Sequence, residues 1–68
     1  MKPLVEATIV KTMKSQTTLS HAELVRIVME GVVRRGAVTK PFIKGRIDAL
    51  VDREFLRRVE GQGYEYIA

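Results

Sequence analysis

Residues 56–68 read Leu-Arg-Arg-Val-Glu-Gly-Gln-Gly-Tyr-Glu-Tyr-Ile-Ala. This stretch decides the architecture, because it abandons the helical patterning of everything before it. Leu56 to Glu60 and Tyr64 to Ala68 are β-capable, and Gly61-Gln62-Gly63 separates them. Two glycines within three residues, flanked by strand formers, predict a hairpin.

Immediately upstream, Thr39 is an N-cap residue and Pro41 suits a first helical turn. Ile43, Ile47, Leu50 and Val51 then form the inner stripe of a third helix. Lys44, Asp48 and Asp52 form an outer ladder at spacing four. Gly45 falls on the same outer face, where a glycine costs about 1 kcal/mol against alanine. A tolerated surface glycine is the simpler reading there, and close approach by a partner the alternative.

Further back, Ser20 is followed three residues later by Glu23, a capping box, with Leu19 and Leu24 placed as a hydrophobic staple. The helix they start is predicted over about 21–34, with Leu24, Ile27, Val28, Gly31 and Val32 inward. Arg26 and Glu30 pair at i,i+4 on its outer side, and Gly36 is its terminator. Residues 15–19, Ser-Gln-Thr-Thr-Leu, are poor helix material and suit a short strand.

The first helix is predicted over about 3–14. Val5, Ile9 and Met13 recur at spacing four, broadened by Val10, and Pro3 sits in the first turn. At ~100° per residue, Lys11 and Lys14 lie on the other side. Helix, short strand, helix, helix and hairpin are the order of a winged helix-turn-helix domain of the α+β class. The third helix takes the recognition position and the hairpin is the wing. One domain over 1–68 is expected, with Ile9, Met13, Leu24, Ile27, Val28, Ile47, Leu50 and Leu56 in one core.

Composition sets limits on chemistry. A chain of 68 residues buries about 60% of the surface its unfolded form exposes. With 46% hydrophobic and 29% charged residues it is neither disordered nor low in complexity. Cysteine is absent, so disulfides and thiolate metal sites are excluded. An intracellular setting is the default. No apolar run approaches a bilayer span, so no membrane partner is expected. His21 is the single histidine. At the first position of the second helix it is expected to be exposed beside the cap, rather than to act as a base or a zinc ligand. Asp48 and Asp52 are flanked by Lys44 and Arg53, which favours a solvated ion-pair ladder over an acid–base dyad. No glycine-rich loop precedes a helix as a phosphate cradle. No catalytic residue, cofactor or metal is therefore expected.

A net charge of +4 keeps nucleic acid in view. The excess is spread along the chain, however, and base readout favours Arg, Asn, Gln or Ser facing the groove. The outer face of the third helix offers Lys44, Arg46 and Arg53 together with Asp48 and Asp52. Two carboxylates facing phosphates make nucleic acid an unlikely partner. A winged-helix DNA-binding module, with Arg57, Arg58 and Lys40 touching phosphate, stands as the alternative to a protein-interaction module.

Ile-Val-Lys-Thr-Met-Lys (residues 9–14) followed by Thr-Leu-Ser-His-Ala-Glu-Leu-Val (18–25) resembles the C-terminal winged-helix domain of cullins, the scaffolds of RING-type ubiquitin ligases. Pro41 to Val59 is similar to that family's third-helix segment. Tyr64-Glu65-Tyr66-Ile67-Ala68 matches its Tyr-x-Tyr-aliphatic-Ala ending. The resemblance covers about residues 4–68. It implies a C-terminal fragment of a larger, non-catalytic scaffold in the cytoplasm and nucleus. It also implies that Lys14, which ends the helix-one motif, is the isopeptide acceptor for the ubiquitin-like modifier of the neddylation pathway. The implied partners are the RING-box protein, a ubiquitin-conjugating enzyme and the rest of the cullin body. The sequence departs from the family at Lys11, where arginine is usual, and at Thr12, where isoleucine is usual. Ser15-Gln16-Thr17 replaces a basic run. These changes weaken the positive patch around Lys14.

Overall fold

Twelve side chains, drawn from three helices and the wing, close over one another as a single apolar cluster. The computed structural model describes residues 2–33, 36, 38–61 and 63–67. In chain order the elements are α1 (Lys2–Gln16), β1 (Thr18–Ser20), α2 (His21–Val32), α3 (Lys40–Asp52), β2 (Leu56–Val59) and β3 (Gly63–Tyr66). The strands form one antiparallel sheet in the order β1-β3-β2. This is the expected α+β winged helix. The readings that fell on Arg34, Gln62 and Ala68 lie outside the described residues.

α1 contributes Val5, Ile9 and Met13, all fully buried, as spacing four requires of one face. α3 contributes Ile43, Ile47 and Leu50, with Leu56 and Tyr64 closing the core from the wing. In α2 the inward face differs from the sequence reading. Leu24, Val25, Val28 and Val32 are buried, while Ile27 is only half-buried. At ~100° per residue, Val25 and Ile27 sit on opposite margins of the Leu24–Val28–Val32 stripe. The helix is rolled toward the Val25 side. Gly31 is exposed rather than inward, although a Cβ there would lie 3.3 Å from Thr8 Cγ2 of α1.

Both predicted helix starts are capped as the sequence indicates. Ser20 has extended backbone and its Oγ accepts from the Glu23 N–H at 3.2 Å; Thr39 Oγ1 accepts from the Phe42 N–H at 3.2 Å. The reciprocal half of the Ser20 box is not made. Glu23 instead binds the Arg26 guanidinium at 2.9 Å, which holds its carboxyl below the usual carboxylate range. Replacing Ser20 with alanine is expected to lower stability by about 0.5–2 kcal/mol, read from the denaturant midpoint.

The ends of α1 and α3 carry no glycine, and Gly36, at φ 138, lies beyond the Val33 cap of α2. α1 closes with Thr17 at φ 70, its N–H donating to the Met13 carbonyl at 2.6 Å. α3 closes with Glu54 at φ 64. The Glu54 N–H donates to Val51 O at 3.0 Å and the Phe55 N–H to Leu50 O at 2.9 Å, a Schellman pair that turns the chain into β2.

At the centre of the sheet, Gly63 lies opposite Ser20 on one side and Val59 on the other. A Cβ there would stand 2.9 Å from the Leu19 carbonyl oxygen and 3.3 Å from Val59 Cγ2. Backbone cannot yield as a side-chain tip can. Gly63→Ala is therefore expected to destabilise by about 1–3 kcal/mol, the range for overpacking, and to lower the thermal midpoint.

Candidate functional site

Lys14 sits in the last turn of α1 and is exposed. Its neighbour Met13 is fully buried, which fixes the rotation of the turn and directs residue 14 away from the core. Among the described residues, no carboxylate lies within 4.0 Å of its ammonium. A cation in the last turn also suits the negative end of the helix dipole.

The turn that carries Lys14 is held from both directions. The Thr17 N–H ties back to Met13, and the Thr17 carbonyl accepts from the Tyr66 N–H of β3 at 2.8 Å. The end of α1 is thus joined to the sheet within three residues of Lys14. Lys11 is exposed as well, so solvent access does not separate the two amines.

His21 is not the exposed residue that its position suggested. It is half-buried, and its Nδ1 lies 3.0 Å from the Tyr64 hydroxyl. The ring centroids are 5.8 Å apart. The pair bridges the start of α2 to β3, with the Arg58 guanidinium 5.8 Å from the Tyr64 ring centre. This contact escapes a linear reading because its partners are 43 residues apart.

The outer face of α3 is neutralised. Lys44 reaches Asp48 at 3.1 Å and Arg58 from the wing reaches the same carboxylate at 2.6 Å. Lys44 and Arg58 together hold the Asp48 carboxyl below its ordinary range, so it keeps its negative charge at neutral pH. Arg46 does not face outward for readout. It bonds Glu6 of α1 at 3.1 Å, where the two side chains are 24% and 16% exposed, and Arg53 meets the other oxygen of Glu6 at 3.4 Å. Arg57 pairs with Glu65 across the wing. Of the cations placed to meet a duplex, Lys44, Arg46, Arg53, Arg57 and Arg58 are engaged with carboxylates, and Lys40, among the described residues, is not. A site-selection experiment on random duplex DNA is accordingly expected to return no consensus. A single consensus whose binding is lost with Lys44→Ala would reverse this.

Among the described residues, no three His, Cys, Asp or Glu side chains gather as a metal site, and no helix is long and apolar enough to cross a membrane.

Residues 2–62 match the family model described as the cullin protein neddylation domain. The chain is 36% identical over 69 residues to Cullin-3B of Arabidopsis thaliana, covering 98% of this chain and 9% of that protein. It is 41% identical over 66 residues to Cullin-3 of Caenorhabditis elegans, covering 94% of this chain and 8% of that one. The chain thus spans under a tenth of the curated relatives it matches. Among solved structures it is similar to a chain of Dcn1(P)–Cdc53(WHB), described in connection with a dual E3 mechanism for Rub1 ligation to Cdc53. The TM-score is 0.94 at 31% identity, over 98% of this chain and 79% of that one.

Proposed function

The chain belongs to the cullin family as a neddylation domain, and from that premise we infer that Lys14 is its isopeptide acceptor. The observation that carries the reading is the placement of Lys14: exposed, in the last turn of α1, beside a fully buried Met13 and above a turn tied to β3. A nucleophilic lysine must be reachable and held in a fixed direction. After losing a proton, the Lys14 amine attacks the carbonyl carbon of the thioester that joins the modifier to its conjugating enzyme. A C–N bond forms, the C–S bond breaks, and the departing thiolate takes up the proton that the new amide nitrogen releases.

In this reading the domain's role is presentation within a scaffold. The partners are the RING-box protein, the conjugating enzyme and the cullin body, in the cytoplasm and nucleus. The solved relative is in complex with Dcn1, which supports a partner from the same modification pathway. Conjugation acts by shifting the domain between docked and undocked states. It can do so only if the modifier interacts differently with the two.

Peptide mapping of the parent protein purified from its source tests the assignment. A diglycine remnant on Lys14 is the expected result. A remnant on Lys11, with Lys14 unmodified, contradicts it.

A further inference from the structure

Thr17 stands at φ 70 immediately after α1. A β-branched residue in the left-handed region is a genuine outlier, because its Cβ crowds the following carbonyl oxygen. Glu54, which also has positive φ, is unbranched at Cβ. The Thr17 side chain is exposed, so its packing does not offset the strain. Such a conformation persists only where its surroundings over-determine it.

Two backbone hydrogen bonds do so here. The Thr17 N–H donates to the Met13 carbonyl at 2.6 Å, and the Thr17 carbonyl accepts from the Tyr66 N–H at 2.8 Å. The Met13 carbonyl belongs to the rigid peptide group that joins Met13 to Lys14. One bond therefore grips the plane on which Lys14 is mounted, and the other grips the sheet. Both ends of this clamp reach the core: Met13 is fully buried and Tyr66 packs against the apolar cluster. The chain beyond has no slack, since Thr18 already pairs with Glu65 of β3.

The last turn of a helix frays when its carbonyls lack partners. Lys11 lies one turn further in and does not depend on the end of α1, whereas Lys14 does. We propose that Thr17 is a positioning residue for transfer to Lys14. Its strained, doubly bonded backbone stops the last turn of α1 from fraying and fixes the direction in which the Lys14 amine leaves the domain. The proposal rests on Lys14 being the acceptor, and Thr17 itself touches no reacting atom.

Paired variants of the RING-bound parent protein separate each backbone donor from its side chain. Thr17→Pro lacks the N–H and cannot take φ 70; Thr17→Gly keeps the N–H and takes that φ without strain. Tyr66→Pro lacks the second donor, and Tyr66→Ala keeps it while losing the ring. Transfer rate is measured against acceptor concentration, with peptide mapping of the product. Both proline variants are expected to lower the maximal rate on Lys14 at least about tenfold, the scale of a sub-ångström misplacement. The half-saturating concentration should stay within about twofold of wild type, as for an interaction made only in the transition state. The share of product on Lys11 should rise. Thr17→Gly and Tyr66→Ala are expected to keep the rate on Lys14 within about threefold of wild type, which general loss of folding at either position would not allow.

Amide hydrogen exchange of the wild-type parent checks the clamp without any substitution. The Thr17 and Tyr66 amides are expected to exchange at least about a hundredfold more slowly than in an unfolded chain. Proline variants transferring at the wild-type rate, equal losses within each pair, a loss carried by the half-saturating concentration alone, or unprotected Thr17 and Tyr66 amides would each overturn the proposal. Wild-type protein modified only at another lysine would overturn the Lys14 reading beneath it, whatever the exchange of the two amides.

Discussion

Ile47→Ala is expected to remove about 2–5 kcal/mol of stability, the range for truncating a large aliphatic side chain in a closed core. Ile47 is fully buried in the middle of α3, whose neighbouring inward residues Ile43 and Leu50 are also buried. The transfer energy of the missing methylenes is lost. A cavity remains because Ile9, Met13, Leu24 and Leu56 belong to the same core and cannot all move in to fill it. A folded domain of this size has roughly 0.05–0.15 kcal/mol of stability per residue, so this one change takes a large share of the total. Denaturant titration should show the midpoint falling with the slope unchanged. Ile27→Ala is the internal control: Ile27 is half-buried, and its truncation is expected to cost less than half as much. Equal costs at the two positions would mean that α2 is rolled the other way.

That pair of isoleucines also marks where the sequence stops being legible. Periodicity identified three helices and the main inward stripes of α1 and α3, with Val10 and Val51 only half-buried at their margins. In α2, aliphatic side chains flank the stripe on both margins, at Val25 and Ile27. Only packing against α1 and α3 decides between them. The caps at Ser20 and Thr39 were readable because their chemistry is local. The left-handed caps at Thr17 and Glu54 were not, because neither is glycine, the residue type that marks such a position in a sequence. Contacts between residues far apart in sequence were equally hidden, including Glu6 with Arg46 and Arg53, and His21 with Tyr64. Lys14 was singled out by the motif that it ends. The residues alone make it one of two exposed lysines on α1. What the structure adds is the Met13–Thr17–Tyr66 anchoring next to it.

Lys14→Arg is expected to abolish conjugation while leaving the fold intact. The substitution keeps the positive charge in the last turn of α1 but removes the usable nucleophile, because a guanidinium stays protonated. Lys14 is exposed and Met13, not Lys14, carries the packing of that turn, so stability should change little. Lys11→Arg is expected to leave conjugation near normal. Three residues along a helix shift a side chain by ~4.5 Å and turn it by ~60°. Misplacements near 1 Å can cost on the order of a hundredfold in rate, so the two amines are not interchangeable in one active-site geometry.

The direct measurement is the rate of modifier transfer to the RING-bound parent protein in a reconstituted reaction, comparing wild type, Lys14→Arg and Lys11→Arg side by side. Transfer falling to background for Lys14→Arg alone is the predicted result. Transfer at the wild-type rate on Lys14→Arg, or its loss on Lys11→Arg, would contradict the assignment of Lys14 as the acceptor.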